Sequence, residues 1–251
     1  EPMTADASSP ADGPALGGTV FLTVLIPAYN EETNLAHTVS VLRGKLAELD
    51  VTFEILIADD ASRDRTGPIA DALAAEDPRV RVAHHPANRG IGGGFLTGVQ
   101  HARGQWMILI PADLALDPDE LGKYLAAAQT ADVVVGIRSD RSDYTLLRRA
   151  VSWVNITAIQ VLFGMRQRQF NYISLYRLSV LRQMTIDYWR SAFFFAEVMI
   201  KARSLGYRLT EVDIRYVPRV SGQATGANWK LIARTASDMV AFRWKLTTRG
   251  V

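Results

Sequence analysis

The sequence has no cysteine, which excludes disulfide cross-links and thiolate metal sites while leaving the compartment open. It also lacks an apolar run fit to span a bilayer. The most apolar long stretch, Leu146 to Met165, is interrupted by Ser152, Asn155, Thr157 and Gln160, and its mainly apolar part is shorter than the roughly 20 residues a crossing needs. No nucleic-acid recognition motif and no interleaved basic and aromatic strand pattern is present, so no nucleic-acid partner is expected. Acidic residues run short toward the C-terminus. After Lys201, the basic residues Arg203, Arg208, Arg215, Arg219, Lys230, Arg234, Arg243, Lys245 and Arg249 face only Glu211, Asp213 and Asp238. The net charge is only +2, so this asymmetry, not the total, directs the C-terminal part toward phosphate-bearing small molecules or anionic lipid.

What is present fits one α/β domain with appendages. The 251 residues can bury a substantial core but would be cramped as two domains, and 48% hydrophobic with 22% charged residues is a globular composition. Residues 1–18 are rich in Ala, Pro, Gly, Ser and Asp and cannot repay ordering entropy, so a flexible tail is expected there. Met3, behind Glu1 and Pro2, is expected to be the natural start, and no signal-peptide pattern is visible.

From Val20 onward strand and helix alternate. Strands are expected at Val20 to Ile26, Phe53 to Ala58, Val80 to Ala83, Trp106 to Ile110 and Val133 to Ile137. Helices are expected from about Glu32 to Leu49, with Leu35, Val39, Leu42 and Leu46 on the buried stripe, from Thr66 to Ala75, and from Gly90 to Ala102 with Gly104 as C-cap. A further helix starts at Asp117-Pro118-Asp119-Glu120, with proline and acids in its first turn. This order predicts a mostly parallel sheet covered on both faces.

Three strand ends carry the chemistry. The first runs into Pro27-Ala28-Tyr29-Asn30-Glu31-Glu32, the second into Asp59-Asp60-Ala61-Ser62-Arg63-Asp64, and the fourth into Pro111-Ala112-Asp113. Any one Asp there could be a helix cap, but three acidic ends on one edge of a parallel sheet point to a site for a polar, metal-associated ligand. The run Gly90-Ile91-Gly92-Gly93-Gly94 is not a dinucleotide fingerprint, because Phe95 holds the third glycine position and the run does not follow the first strand. Small residues there would let a helix lie close to a strand or a ligand.

These segments, with Asn88-Arg89-Gly90, Gly98, Gly104 and Asp117-Pro118-Asp119-Glu120-Leu121, resemble the family 2 glycosyltransferases of GT-A fold. Val135-Gly136-Ile137-Arg138, Leu175-Tyr176-Arg177, Glu197 ahead of Gly206-Tyr207, and Pro218-Arg219 with Gly222 resemble the polyprenyl-phosphate branch. The resemblance implies a GT-A α/β fold over 19–225, with a mostly parallel central sheet, helices on both faces and interfacial amphipathic helices. It also implies an inverting transfer of a sugar from a nucleotide-diphosphate donor to a polyprenyl phosphate. Pro27, Tyr29, Glu31, Asp59, Asp60, Asn88, Gly93, Ala112 and Asp113 would hold the nucleotide sugar. Arg138 and Arg148 would hold the acceptor phosphate, and Arg219 would clamp the donor diphosphate, since guanidinium forks match phosphate oxygens. Asp113, Arg138 and Arg219 would be the catalytic set.

The metal motif departs from the family's Asp-x-Asp followed two residues later by a polar ligand. Pro111, Asp113 and Ala115 occupy the matching positions, and Ser174 replaces the family's arginine or lysine near Leu175. A weakly held or dispensable Mg²⁺ or Mn²⁺ on Asp113 is therefore expected. A non-lipid acceptor and a degenerate nucleotide-sugar-binding subunit are the alternatives.

Leu146 to Met165, with Arg148-Arg149 ahead of Trp153, reads as a membrane-interface helix, the alternative being a helix buried against the sheet. Asn228 to Thr248, within a C-terminal segment 226–251, reads as a second basic, aromatic helix. The protein is expected to be peripheral at the cytoplasmic face of a membrane, or held there by an anchor beyond Val251, by an anchoring partner, or as a homo-oligomer.

Overall fold

Seven segments rich in Val, Ile and Leu pair into one sheet in a computed structural model that describes residues 19–140, 145–171, 173–215 and 229–249. The expected tail and the segment with Pro218, Arg219 and Gly222 lie outside the described residues. The strands are β1 (Leu22–Ala28), β2 (Phe53–Asp59), β3 (Val80–His84), β4 (Trp106–Leu109), β5 (Val133–Arg138), β6 (Ser174–Arg177) and β7 (Leu209–Ile214). Their spatial order is β3-β2-β1-β4-β6-β5-β7. The sheet is mostly parallel, as expected, but β6 runs antiparallel to both neighbours, with Ile108 and Val134 each opposite Leu175.

Both faces of this sheet are covered, so its central strands are apolar on both sides rather than alternating. Leu22, Val24 and Ile26 of β1 join one core with α1 (Leu35–Glu48), α2 (Thr66–Glu76) and α4 (Leu121–Ala127). Leu25 faces the other way, into a core with α3 (Gly90–His101), α5 (Leu146–Phe163), α6 (Leu178–Leu181), α7 (Phe194–Ser204) and α8 (Trp229–Arg249). The expected stripe of α1, Leu35, Val39, Leu42 and Leu46, is fully buried. The helix starts at Leu35 rather than Glu32, because Glu31 and Glu32 are engaged in a loop contact described below.

Glycines set how closely α3 lies on the sheet. A side-chain carbon at Gly98 would sit 2.5 Å from Leu25 Cδ2 and 2.8 Å from Met107 Sδ. Gly104 is not the helix cap that the sequence suggested; Ala102 is the C-cap, in extended conformation, and Gly104 instead lets the chain pass against the backbone of Thr23.

The β2–β3 pair is tied by charge at both ends. At the amino end, Glu54 sits inside the otherwise apolar second strand, wholly buried, and accepts from Thr23 Oγ1 (2.7 Å), from Arg81 Nη1 (3.0 Å) and from the N–H of Arg103. At the carboxyl end, His84 lies between Asp59 Oδ2 and Asp71 Oδ1, at 2.9 Å from each. Burial works against the charged ring, but the hydrogen bonds to Asp59 and Asp71 outweigh it and raise its pKa above 6.5.

Glu54→Gln should lower stability by about 3 kcal/mol, because it leaves the buried Arg81 guanidinium without its counter-charge; a denaturant midpoint unchanged from wild type would refute this. For His84 the folded pKa is raised, so its contribution is complete below pH 6.5 and fades as pH climbs through the folded value. The wild-type melting temperature should therefore fall more than that of His84→Gln between about pH 6 and pH 9, as read by parallel thermal scans.

Candidate active site

The strand order reverses between β1 and β4: from β1 the chain moves outward to β2 and β3, then returns to place β4 on the other side. Such a switch point opens a crevice at the carboxyl ends of the strands, where ligands of α/β proteins bind. The ends of β1, β2 and β4 meet there, so the three acidic strand ends share one edge. The backbone marks the same place. Among the described residues, four non-glycine residues have positive φ, and three of them follow these strands: Asn30 (55°), Ala61 (60°) and Leu114 (48°). Such conformations cost of order 1–3 kcal/mol each and gather at ligand sites.

The loops after β1 and β2 are laced together. Asn30 N–H donates to Ser62 Oγ (3.1 Å), and Arg63 N–H donates to Asn30 Oδ1 (2.8 Å). Glu31 N–H donates to Thr66 Oγ1 (2.7 Å), Glu32 N–H to Asp64 Oδ2 (3.2 Å) and Arg65 N–H to Glu32 Oε2 (3.0 Å). With the polar groups paired in this way, Tyr29 is left exposed on the rim, and Glu31 accepts a local bond from Asn34 Nδ2. Pro27 lies under Gly94 of α3, where a side-chain carbon would approach its Cβ to 3.1 Å.

Asp59 and Asp60 are both buried, with separate tasks. Asp59 accepts from Ser62 N–H (3.1 Å) and pairs with His84. Asp60 faces the start of α3: Oδ1 accepts from Arg89 N–H and Oδ2 from Gly90 N–H, each at 2.7 Å, where the helix dipole favours a carboxylate. His85 Nδ1 lies 2.7 Å from Asp60 Oδ1, and its Nε2 lies 2.8 Å from Thr97 Oγ1. Asn88 Nδ2 reaches the Asp60 carbonyl at 3.4 Å. Gly93 is buried in the same turn, under the Arg89 side chain.

On the other side of the crevice, Thr38 Oγ1 donates to the Ala112 carbonyl (2.6 Å) and fixes the loop that presents the half-buried Asp113. Arg138 ends β5 on this edge, buried, its carbonyl accepting from Gln169 Nε2 (2.9 Å). Arg148 lies in the first turn of α5, which Thr145 caps by accepting its N–H at 3.2 Å. Arg219 lies outside the described residues. No cluster of three or more His, Cys, Asp or Glu fit to hold a metal occurs among the described residues. Asp113, flanked by Pro111 and Ala115, thus fits a hard divalent cation only as one carboxylate that phosphate oxygens and water complete.

The sequence reading passed over His84, His85, Thr97 and Trp189. The two histidines carried a signal, since His84 ends the third strand and His85 follows it, on the same edge as the acids. Trp189 carried none: it lies about a hundred residues from Arg89, yet that guanidinium carbon stands 5.3 Å from its ring centroid.

Residues 23–199 match the family model described as Glycosyl transferase family 2. An undecaprenyl-phosphate mannosyltransferase of Micrococcus luteus is 33% identical over 234 residues, covering 88% of this chain and 95% of that protein. An undecaprenyl-phosphate 4-deoxy-4-formamido-L-arabinose transferase of Edwardsiella ictaluri is 32% identical over 84% of this chain, which spans 65% of that longer protein. Among solved structures, glucosyl-3-phosphoglycerate synthase from Mycobacterium tuberculosis, in complex with Mn²⁺, UDP-glucose and phosphoglyceric acid, superposes with a TM-score of 0.68 at 14% identity, covering 90% of this chain and 80% of that one. TarS residues 1–349 from S. aureus, in complex with UDP, gives 0.55 at 18% identity, over 78% of this chain and 59% of that one. With the crevice at the switch point, the α/β layers and a family match over more than half its length, the chain belongs to glycosyl transferase family 2 and is a glycosyltransferase of GT-A fold.

Proposed function

We propose that this enzyme transfers a sugar, with inversion, from a nucleoside-diphosphate donor to a polyprenyl phosphate at a membrane surface. The observation that carries the lipid acceptor is the outer surface of α5 and α8. Trp153 is 68% exposed on α5, and Trp229 and Trp244 are 76% and 72% exposed on α8. On α5, Leu146, Ala150, Trp153, Val154 and Val161 fall on one helical stripe, and on α8 Trp229, Ala233, Val240 and Trp244 do the same. Of α5 only Ile159 is fully buried, which supports the interface reading over a helix buried against the sheet. Its inner side rests on α8 through Phe163 and Phe242, whose ring centroids are 5.6 Å apart. Exposed aromatics beside Arg149, Lys230, Arg234 and Arg243 suit the headgroup layer of an anionic bilayer. No helix of the described residues is long and apolar enough to cross a membrane. The names of the two sequence relatives, both acting on undecaprenyl phosphate, support the same acceptor class.

The chemistry asks little of the protein beyond placement. A phosphate monoester is already anionic near neutral pH, so its oxygen can attack the anomeric carbon as the bond to the leaving diphosphate breaks, without a general base. Arg138 at the end of β5 and Arg148 at the head of α5 are assigned to the acceptor phosphate, and Arg219 to the donor diphosphate. The β1 and β2 loops, through Pro27, Tyr29, Glu31 and Asp59, line the nucleoside side. Asp60, its oxygens engaged by the start of α3, shapes that wall along with Asn88 and Gly93. Asp113 with Ala112 faces the diphosphate; a divalent cation bound there would neutralise charge on the leaving group.

Purified enzyme should release nucleoside diphosphate from one member of a nucleotide-sugar panel only when a polyprenyl phosphate is added. Release with a soluble acceptor instead, or donor binding without release, would overturn the lipid assignment. Asp113→Asn should cut Mn²⁺-stimulated turnover by about 100-fold, the scale of losing one preorganised charge-stabilising group; equal turnover in chelator and in Mn²⁺ would remove the metal from the mechanism. The Trp153→Glu, Trp244→Glu double variant should weaken binding to anionic liposomes by orders of magnitude, since each buried apolar side chain is worth roughly 1.5–3 kcal/mol, while donor binding persists. A folded double variant that still sediments with liposomes would place the membrane face elsewhere.

A further inference from the structure

We infer that the loop from Thr185 to Arg190 is a strap through which the C-terminal helix α8 sets the shape of the donor site, with Trp189 as its positioning residue. The inference rests on the membrane and donor assignments above and adds a regulatory link between them.

The strap is fastened at the α8 end. Lys245 Nζ of α8 and Lys201 Nζ of α7 both lie 2.9 Å from Asp187 Oδ2, and Lys201 also donates to the Thr185 carbonyl (2.6 Å). Glu197, wholly buried in α7, accepts the N–H groups of Asp187 (2.8 Å) and Tyr188 (2.9 Å) and pairs with Lys201 (2.7 Å). The Phe242 ring of α8 contacts both Tyr188 and Phe193, at 5.7 and 5.6 Å between centroids. Burial would push the Asp187 carboxyl up, yet the bonds from Lys245 and Lys201 outweigh this and hold it below the usual carboxylate range. This end stays charged and closed at neutral pH.

At its other end the strap presses on the first turn of α3. The Trp189 ring has Arg190 at 4.1 Å and Arg89 at 5.3 Å from its centroid, and its carbonyl oxygen lies 1.8 Å from where a side-chain carbon of Gly92 would be. Only glycine leaves room for that backbone approach. Arg89 and Gly90 are the residues whose N–H groups hold Asp60. A plain connector between α6 and α7 would need neither the glycine nor the stacked ring. The contacts run unbroken from α8 through Asp187, Tyr188 and Trp189 to Arg89 and Asp60. Whatever steadies α8, such as a bilayer, then steadies the donor wall, and linkage requires donor to strengthen membrane binding by the same factor.

The test uses the full chain with GDP and UDP, each with Mn²⁺, and vesicles of phosphatidylglycerol and phosphatidylcholine. In wild type, vesicles should tighten binding of one nucleotide about fivefold and slow hydrogen exchange of the amides of 88–93. Trp189→Ala should bind vesicles as wild type does and lose both effects, and Trp189→Phe should restore part of each. Lys245→Ala, which removes the ion pair from α8 to Asp187 and leaves the Phe242–Tyr188 contact, should weaken both. Equal vesicle effects in wild type, Trp189→Ala and Lys245→Ala would overturn the strap. If wild type binds neither nucleotide but vesicles still slow exchange through Trp189, the strap stands and the donor assignment falls.

Discussion

The wall of the crevice depends on one carboxylate. Asp60 stands where β2 ends and receives the N–H groups of Arg89, the N-cap of α3, and of Gly90, its first residue, so one side chain joins two strands and a helix that approach from different parts of the chain. A helix start at the rim of a sheet leaves N–H groups unpaired, and water would compete for them unless a buried acceptor were supplied. Asp60 is that acceptor, and His85, backed by Thr97, lies beside it at 2.7 Å. The laced loops after β1 and β2 extend the same wall outward, and their positive-φ residues are held by the bonds around them. This wall of the crevice is thus held by bonds within the chain itself.

The fold was largely legible because it obeys short-range rules. Buried parallel strands read as apolar runs, and α1 showed its 3.6-residue stripe directly. β6 and β7 were missed for physical reasons: β6 has four residues, and β7 is an edge strand in which Thr210, Glu211 and Asp213 break the apolar run. Gly104 read as a cap since glycine so often ends helices, whereas its cause is a close pass against Thr23, about eighty residues away. In the site, the acidic strand ends could be read from order alone. That Asp60 is bound by backbone N–H groups could not, because that depends on how α3 meets β2. Glu54 was hidden for the same reason, since its partners come from β1, β3 and the end of α3.

The two sides of the crevice differ in what holds them. At the ends of β1 and β2, hydrogen bonds between loops dominate, whereas α5 and α8 rest on aromatic contacts among Phe163, Phe193, Tyr188 and Phe242. Hydrogen bonds fix angle and register; ring packing tolerates small sliding. A fixed loop wall thus stands beside a more yielding helix pair.

The reversed strand β6 has a further consequence for where this chain tolerates change. Because β6 runs against β5, the chain leaves the sheet at Arg138 and re-enters it one strand over, at the same edge. Gly136 N–H donates to the Ile173 carbonyl (3.1 Å), and Gln169 reaches the Arg138 carbonyl, so the exit and the return are stitched side by side. Everything between, including α5, is an excursion whose two ends the sheet already holds together. Its exposed face can change in length and sequence without altering strand register, so long as Gln169 and the core residues Ile159, Met165 and Phe170 keep the two ends in place.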